Sequence, residues 1–263
     1  MDRNKYLRPK NMLLDTLFPK QCVCCDEIID SDEELCDNCI RNIERIDPVK
    51  RCKKCGLEKK TCQCYKYVYH FEECIAPFFN EGIARRGMYA FKFKRKAHYA
   101  VYFADEMAKS IKSEWGKVGF DAVCYVPSTA YSFLRRGFNQ SYLLAERISK
   151  LLEIPLVKDS LYGKFNFKFQ HNLKRDKRFE AVRNKYFYNL ERSSEIRGKT
   201  VLLVDDIKTT GATLDECARQ LLFAGANTVY AVCALITDTR MQPKTKRRIN
   251  SQKILQKFGE NIG

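Results

Sequence analysis

The stretch that most constrains the fold of this chain is residues 201–213, which read VLLVDDIKTTGAT. Its four leading apolar residues are typical of a short, buried parallel strand, and the apolar residues after Thr213 recur at helical spacing. A strand that turns into a helix in this way points free backbone N–H groups at one place, where the helix end favours negative charge. The sequence therefore predicts a site for a phosphate monoester, as in a sugar phosphate.

The turn itself supplies the predicted phosphate contacts, which are Thr209, Thr210, Gly211, Ala212 and Thr213. Gly211 lets the backbone approach an anion because it has no Cβ. The preceding acids, Asp205 and Asp206, cannot bind the same phosphate, since like charges repel. They would accept hydrogen bonds from ribose hydroxyls or organise a hydrated Mg²⁺. The alternative is an ordinary strand-to-helix turn with an aspartate cap.

Residues 205–213 resemble the phosphoribosyl diphosphate (PRPP) motif of type I phosphoribosyltransferases, in which two acids precede a threonine-rich turn. The resemblance implies that Asp205 and Asp206 are the catalytic residues and that they bind Mg²⁺-PRPP together with the turn. One position departs from this pattern. The residue after Ile207 is commonly apolar or aromatic, and here it is Lys208.

The pyrophosphate of such a ligand needs cations of its own, and the best candidates are Lys92, Arg135 and Arg136. An apolar run at 122–126, ended by Pro127, predicts a second buried strand before the two arginines. The carboxyl ends of parallel strands meet at one edge of a sheet, so both turns can converge on one ligand. Arginine suits this role because its planar fork binds two phosphate oxygens at once. The alternative for each cation is a solvated basic helix face.

The cysteines indicate metal sites at the N-terminal end of the chain. Ten of the thirteen fall between Cys22 and Cys74, and most come in close pairs. Two close pairs can complete a closed tetrahedral site without an open catalytic position, so the sequence predicts two structural zinc ions. The predicted ligands are Cys22, Cys25, Cys36 and Cys39 for one ion, and Cys52, Cys55, Cys62 and Cys64 for the other.

Two alternatives stay open for these cysteines. The last pair of the second set has a single intervening residue, so Cys24 or Cys74 could replace one of its members. A redox dithiol is the competing function, although a reactive pair normally works alone at a helix N-terminus. The ribbons could form a docking or nucleic-acid surface, or they could be purely structural.

Alternation of apolar strands with helical segments predicts an α/β fold with a mostly parallel sheet flanked by helices. Helices are expected from about residue 82, over 98–115 and over 141–152. We predict a double zinc ribbon over residues 1–66, a phosphoribosyltransferase-like domain over 67–238, and a basic, flexible tail over 239–263.

The charge of the chain favours polyanionic partners. Lys and Arg number 48 against 32 Asp and Glu, a formal net charge of +16. Nucleic acid, phosphorylated metabolites and anionic lipid all qualify, and a merely solubilising surface is the alternative. No apolar run approaches the ~20 residues of a membrane span, and the N-terminus does not read as a signal peptide. We therefore expect a cytoplasmic protein without membrane insertion.

A segment at 165–183 combines aromatic and basic residues, which suits single-stranded nucleic acid because bases stack on aromatic rings. Its alternating phenylalanines are equally typical of a half-buried strand.

The order of these motifs resembles the ComF family of competence proteins, specifically its phosphoribosyltransferase-like ComFC branch. The resemblance rests on paired cysteines, a Lys92-containing basic helix, RRGFNQ at 135–140, and VLLVDDIKTTGAT. It implies an N-terminal double zinc ribbon joined to a type I phosphoribosyltransferase fold. It also implies a bacterial cytoplasmic protein that acts in DNA uptake during natural transformation, often alongside a helicase-like ATPase.

Three functions remain open from the sequence. The chain is an enzyme that transfers phosphoribosyl to an unidentified acceptor, a PRPP-binding protein that handles incoming single-stranded DNA, or a zinc-ribbon adaptor for a translocating ATPase. We expect a competence-associated protein with a Mg²⁺-PRPP site. The alternative is a metabolic phosphoribosyltransferase.

Overall fold

The computed structural model of the chain describes residues 19–29, 33–62, 64–164 and 175–238. Within that part of the chain, five parallel strands form the central sheet, in the order β1-β7-β6-β3 with β2 also pairing with β7. These strands are β1 (Cys74–Ile75), β2 (Phe78–Phe79), β3 (Ala122–Tyr125), β6 (Thr200–Lys208) and β7 (Thr228–Ile236). A separate antiparallel pair consists of β4 (Leu161–Gly163) and β5 (Tyr186–Tyr188).

Helices flank the sheet as the alternating pattern predicts. They are α1 (Asp37–Asn42), α2 (Gly82–Phe93), α3 (Ala100–Trp115), α4 (Ala130–Arg136), α5 (Gln140–Leu152), α6 (Arg175–Val182) and α7 (Ala212–Phe223). Short 3-10 turns occupy Lys59–Thr61, Cys64–Lys66, Ala97–Tyr99 and Leu190–Glu195. The four helices expected from the sequence are present as α2, α3, α5 and α7, and α4 was not expected. The fold class is therefore the α/β arrangement that the sequence predicts.

The central strand β6 separates two apolar cores because successive side chains of a strand point to opposite faces. Leu202 and Val204 pack in a core with helices α2, α3 and α5. Val201 and Leu203 pack in a second core with α7 and β5. Each of these side chains is fully buried, which stabilises the fold by about 1.5–3 kcal/mol per residue.

The two cysteine-rich ribbons pack against opposite faces of the sheet. The first contributes Val23 and Cys24 to the core that holds α2, and a Cβ at Gly87 of α2 would lie only 2.9 Å from the Val23 carbonyl oxygen. The second contributes Cys55 and Leu57 to the opposite core. Both ribbons are therefore built into the cores of the α/β domain.

Buried ion pairs add to this attachment. Arg51 of the second ribbon pairs with Glu114 of α3, and its guanidinium also donates to the Cys74 carbonyl oxygen at 3.0 Å. Arg45, which lies between the ribbons, pairs with the buried Glu106 of α3.

The strand that carries the acid pair is longer than the sequence indicates. We expected it to end at residue 204 and the acids to lie in a turn, which was wrong. Asp205, Ile207 and Lys208 pair with Cys233, Leu235 and Ile236 of β7. The apolar β7 supplies a complete partner for these residues, so the ladder outweighs the low strand propensity of aspartate.

The predicted domain boundaries stay predictions. The chain joins the sheet at Glu72, whose N–H donates to the Val229 carbonyl oxygen, a few residues after the predicted boundary at 66. The predicted tail, 239–263, and residues 165–174 of the aromatic and basic segment lie outside the described residues. Among the residues that the structure describes, no helix is long and apolar enough to cross a bilayer.

Candidate functional site

The carboxyl ends of β3 and β6 meet at one edge of the sheet. Tyr125, the last residue of β3, pairs with Val204, one residue before the acid pair. Asn139 fixes the next helix at this edge, because its side chain caps α5 and its amide also donates to the Val126 carbonyl oxygen at 3.3 Å. Residues from β6, α5 and the turn before α7 therefore surround one place, as the sequence predicts for the ligand site.

The acid pair is almost fully buried and has specific partners. The Ser141 hydroxyl donates to Asp205 Oδ1 at 2.9 Å, and the Asp206 backbone N–H donates to the same oxygen at 2.8 Å. Lys92 Nζ lies 2.8 Å from Asp206 Oδ2. Thus Lys92, which we predicted to contact pyrophosphate, contacts a carboxylate instead in this structure.

Asp205 has an unusual acidity. Burial raises the pKa of Asp205 to about 7, and the neighbouring Asp206 carboxylate acts in the same direction. Lys92 and the two hydrogen bonds to Asp205 oppose the rise because they favour the ionised form. A cation placed at this pair would add to the same effect, as expected of a site for Mg²⁺ and a hydroxylated ligand.

The turn between β6 and α7 has a backbone geometry that requires glycine at its last residue, Gly211. Gly211 has φ of 89°, and a Cβ there would lie 3.0 Å from Lys208 Cε and 3.2 Å from Tyr69 Cε1. The Tyr69 hydroxyl donates to the Thr210 carbonyl oxygen at 3.3 Å, and the Ala212 N–H contacts Thr210 Oγ1 at 3.4 Å. Lys208 and Tyr69 thus pack against the turn, and α7 begins directly after Gly211.

A small concavity lies in this turn, with a volume of about 20 Å³. That is room for about one water-sized group. Its lining residues are Asp205, Ile207, Lys208, Thr209, Gly211, Ala212, Thr213 and Leu214. Four of the five predicted turn residues line this space, and the fifth, Thr210, is buried.

The predicted arginines differ in their surroundings. Both guanidiniums stack on Phe93 at the end of α2, each 5.3 Å from the ring centroid. Arg135 is exposed. Burial lowers the pKa of Arg136, and the negative charges of Asp206 and Asp205 act against that effect. Of the two, Arg136 is the one whose charge interacts with the acid pair.

Two buried donors at this edge have no acceptor. Arg136 Nη1 donates to Gln140 Oε1 at 2.7 Å. Arg136 Nε and Gln140 Nε2 are both buried and find no hydrogen-bond partner within the described part of the chain. Buried donors are nearly always paired, so this pair of free N–H groups is suited to an anion.

Sequence reasoning assigned no ligand contact to Ser141, which donates to Asp205, or to Gln140, which it noted only as part of RRGFNQ. A signal for them existed, because Asn139 is a preferred helix cap and the residues after a cap lie at the helix N-terminus. Tyr69 had no such signal, since its contact with Thr210 joins residues far apart in the chain.

Two four-cysteine clusters occur in the ribbons, and their members are the eight predicted ligands. One contains Cys22, Cys25, Cys36 and Cys39, and the other contains Cys52, Cys55, Cys62 and Cys64, with all sulfurs of a cluster within 4.8 Å of one another. The closest sulfurs are 3.7 Å apart in each cluster. Four sulfurs around a tetrahedral zinc lie roughly 3.8 Å apart when each Zn–S bond is 2.3 Å. The thiols therefore fit zinc, and Cys24 and Cys74 belong to neither cluster among the described residues.

Models of two domain families match the chain. The double zinc ribbon domain matches residues 13–74, and the phosphoribosyl transferase domain matches residues 139–262. Together with the two four-cysteine clusters, the ribbon match supports zinc as the bound metal. The fold and its sites define a phosphoribosyltransferase-like protein with an N-terminal double zinc ribbon.

Two curated proteins are similar to the chain over most of their length. The chain is 25% identical over 215 residues to the DNA utilization protein YhgH of Shigella flexneri, covering 81% of this chain and 88% of that protein. It is 24% identical over 226 residues to Competence protein ComFC of Bacillus subtilis, covering 78% and 89%. These similarities confirm the expected resemblance of the chain to the ComF family. Among solved structures, adenine phosphoribosyltransferase from Thermoanaerobacter pseudethanolicus is similar with a TM-score of 0.35 and 13% identity, over 55% of this chain and 83% of that one.

Proposed function

We propose that this protein binds Mg²⁺-PRPP at the edge of its sheet and acts in DNA uptake during natural transformation. The observation that supports the PRPP site is the buried acid pair near two buried donors, Arg136 Nε and Gln140 Nε2, that have no acceptor among the described residues. Asp205 and Asp206 would hold the ribose hydroxyls and the hydrated Mg²⁺, and the 209–213 turn would hold the 5′-phosphate. Arg136 and Gln140 would contact the pyrophosphate, with Arg135 and Lys92 nearby.

The proposed role in DNA uptake rests on the resemblance to the ComF family and on relatives whose names refer to DNA utilization and competence. A helicase-like ATPase is the further protein partner that we propose on the same ground. Because both ribbons pack into the cores of the domain, the partner has to be tested on the full chain. Co-purification of such an ATPase with the full chain from competent cells supports this role, and its absence there would contradict it.

A titration separates binding from turnover. We expect calorimetry to detect PRPP binding in the presence of Mg²⁺ and little binding in Mg²⁺-free buffer, because the acid pair repels the bare ligand. The bound ligand is then incubated with a panel of nucleobases, and pyrophosphate release is measured. A ribosylated base with stoichiometric pyrophosphate would favour the alternative, a metabolic phosphoribosyltransferase. Absence of Mg²⁺-dependent binding would overturn the proposed site.

Single-stranded DNA is the macromolecular ligand that we propose, and one surface favours it. The exposed rings of Tyr89 and Phe93 on α2 lie 4.9 Å apart, and the guanidiniums of Arg135 and Arg136 cover Phe93. Exposed aromatic rings with adjacent arginines offer stacking platforms and phosphate contacts, and a stacked base contributes about 1–3 kcal/mol.

The DNA surface is tested with fluorescent oligonucleotides. The variant Y89A/F93A should weaken binding to a single-stranded oligonucleotide by at least about tenfold, because it removes both stacking platforms. The matched control is Y162A, which removes an exposed ring on β4. Equal affinity of the wild type and Y89A/F93A would contradict this surface, and equal affinity for single-stranded and duplex DNA would contradict stacking as the mode of binding.

A further inference from the structure

Lys208 is a buried cation that the proposed contacts do not use. It is the last residue of β6 and its side chain is 1% exposed. Its Nζ has no hydrogen-bond partner among the residues that the structure describes. A lysine ammonium is almost never buried without a partner, because the charge loses its hydration. The residue therefore destabilises the unliganded fold unless another group compensates for it.

The ammonium lies directly beneath the phosphate turn. A Cβ at Gly211 would be 3.0 Å from Lys208 Cε and 3.7 Å from Lys208 Nζ. Lys208 also lines the concavity at the N-terminus of α7, together with Thr209 and Thr213. An ammonium without a hydrogen-bond partner in the described part of the chain and the positive end of the α7 dipole thus meet at the same small space.

The second four-cysteine cluster is also near this lysine. Burial raises the pKa of the Cys55 thiol, and the charge of Lys208 acts in the opposite direction, which identifies Cys55 as an electrostatic neighbour. No hydrogen bond joins Lys208 Nζ to a sulfur in the described part of the chain. Lys208 does line the concavity at the turn, so its position favours a ligand of the turn over a role at the cluster.

We propose that Lys208 is a ligand-binding residue, whose buried ammonium holds the phosphate end of a sugar 5-phosphate from beneath the 209–211 turn. The proposal rests on the proposed PRPP site and adds to it the cation that compensates the phosphate charge. Lys92, which pairs with Asp206, and the two arginines that stack on Phe93 would serve the pyrophosphate. The phosphate of the ligand would supply the anion that Lys208 Nζ lacks among the described residues.

The test compares the variant K208M, which is neutral and similar in length, with the exposed-site control K117M. Ribose 5-phosphate is the first probe, since it carries the phosphate without the pyrophosphate, and Mg²⁺-PRPP is the second. We expect K208M to weaken both by about tenfold or more, because a charge-assisted hydrogen bond to phosphate is lost. K117M should bind like the wild type. A second neutral variant, K208Q, serves if K208M does not fold.

The melting temperature and the zinc content provide an independent readout. Without ligand, K208M should melt at a higher temperature than the wild type, because it removes an unpaired buried charge, and it should keep both zinc ions. Added ribose 5-phosphate should stabilise K208M less than the wild type. A lower melting temperature with loss of zinc would assign Lys208 to the second cluster and overturn the proposal.

The remaining outcomes separate the two proposals. Unchanged affinity of K208M for ribose 5-phosphate overturns the role of Lys208 even if Mg²⁺-PRPP binds as proposed. Wild-type protein that binds ribose 5-phosphate but not Mg²⁺-PRPP contradicts the proposed function, and loss of that binding in K208M still supports the phosphate role of the lysine. Wild-type protein that binds neither probe overturns both.

Discussion

At the scale of single residues, Asp205 is the central residue of the candidate site. It is 8% exposed, it accepts hydrogen bonds from Ser141 and from the Asp206 N–H, and burial raises its pKa to about 7. The folded protein therefore holds a proton that the unfolded chain releases near pH 4. The stability of the unliganded protein falls as the pH rises from about 4 to about 7, and the ionised form that accumulates above pH 7 is the one that suits a cation.

The affinity for Mg²⁺-PRPP should accordingly rise with pH. Below pH 7, each fall of one pH unit lowers the ionised fraction of Asp205 by about tenfold, and the affinity should fall with it. Above pH 8, the affinity should no longer depend on pH. The variant S141A removes a hydrogen bond that favours the ionised form, so the midpoint should move up by about one pH unit. Calorimetric titrations at pH 5.5 to 9 would measure both profiles, and a wild-type midpoint below pH 5 would contradict the buried carboxyl.

At the scale of the elements, the site depends on a strand, a turn and a capped helix that meet at one edge. The strand β6 carries the acids within its ladder to β7, and Asn139 fixes α5 so that Ser141 reaches Asp205. The turn before α7 requires a left-handed residue at Gly211 with Lys208 and Tyr69 packed against it. The backbone of these three elements thus positions the side chains before any ligand binds.

The turn should not tolerate a side chain at Gly211. The variant G211A forces an L residue into φ of 89° and places a Cβ 3.0 Å from Lys208 Cε. The free energy of unfolding should therefore fall by about 1–2 kcal/mol or more. Binding of Mg²⁺-PRPP should weaken at the same time. The control is G119A, because a Cβ there meets no atom within 4 Å. Urea denaturation compares the two, and equal stability of G211A and G119A would show that the turn is not constrained.

The elements also show where sequence reasoning succeeded and where it could not. Helical spacing predicted α3 and α5 because their apolar faces cover a core, and cysteine spacing predicted both four-sulfur clusters. The continuation of β6 past residue 204 was missed because it depends on pairing with β7, which the local composition does not encode. The burial of Lys208 and the contact of Tyr69 with the turn arise from packing between distant segments.

At the scale of the whole molecule, the two cysteine-rich ribbons and the α/β domain share their apolar cores. Cys22 and Cys39 belong to the core of α2 and α3, whereas Cys55 belongs to the core of α7. Because metal binding contributes to folding, loss of zinc exposes apolar surface on both faces of the sheet. The ribbons therefore stabilise the domain that carries the candidate site.

Removal of zinc should consequently destabilise the full chain rather than the ribbons alone. We expect calorimetry to show one cooperative transition, shifted down by more than about 10 °C after treatment with a strong chelator. A chromophoric chelator should count two zinc ions released per chain. An unchanged main transition after complete zinc release would contradict the shared cores.

The central claim is that the buried acid pair and the turn after it bind a phosphorylated pentose, and calorimetric titration of the double variant D205N/D206N with Mg²⁺-PRPP tests it most directly. The amides keep the shape of the carboxylates, so the variant should fold, although the ion pair between Lys92 and Asp206 is lost. The affinity should drop by roughly 100-fold or more, equivalent to ~2.7 kcal/mol, because the variant cannot organise the cation. A double variant that folds and binds Mg²⁺-PRPP as tightly as the wild type would contradict the account.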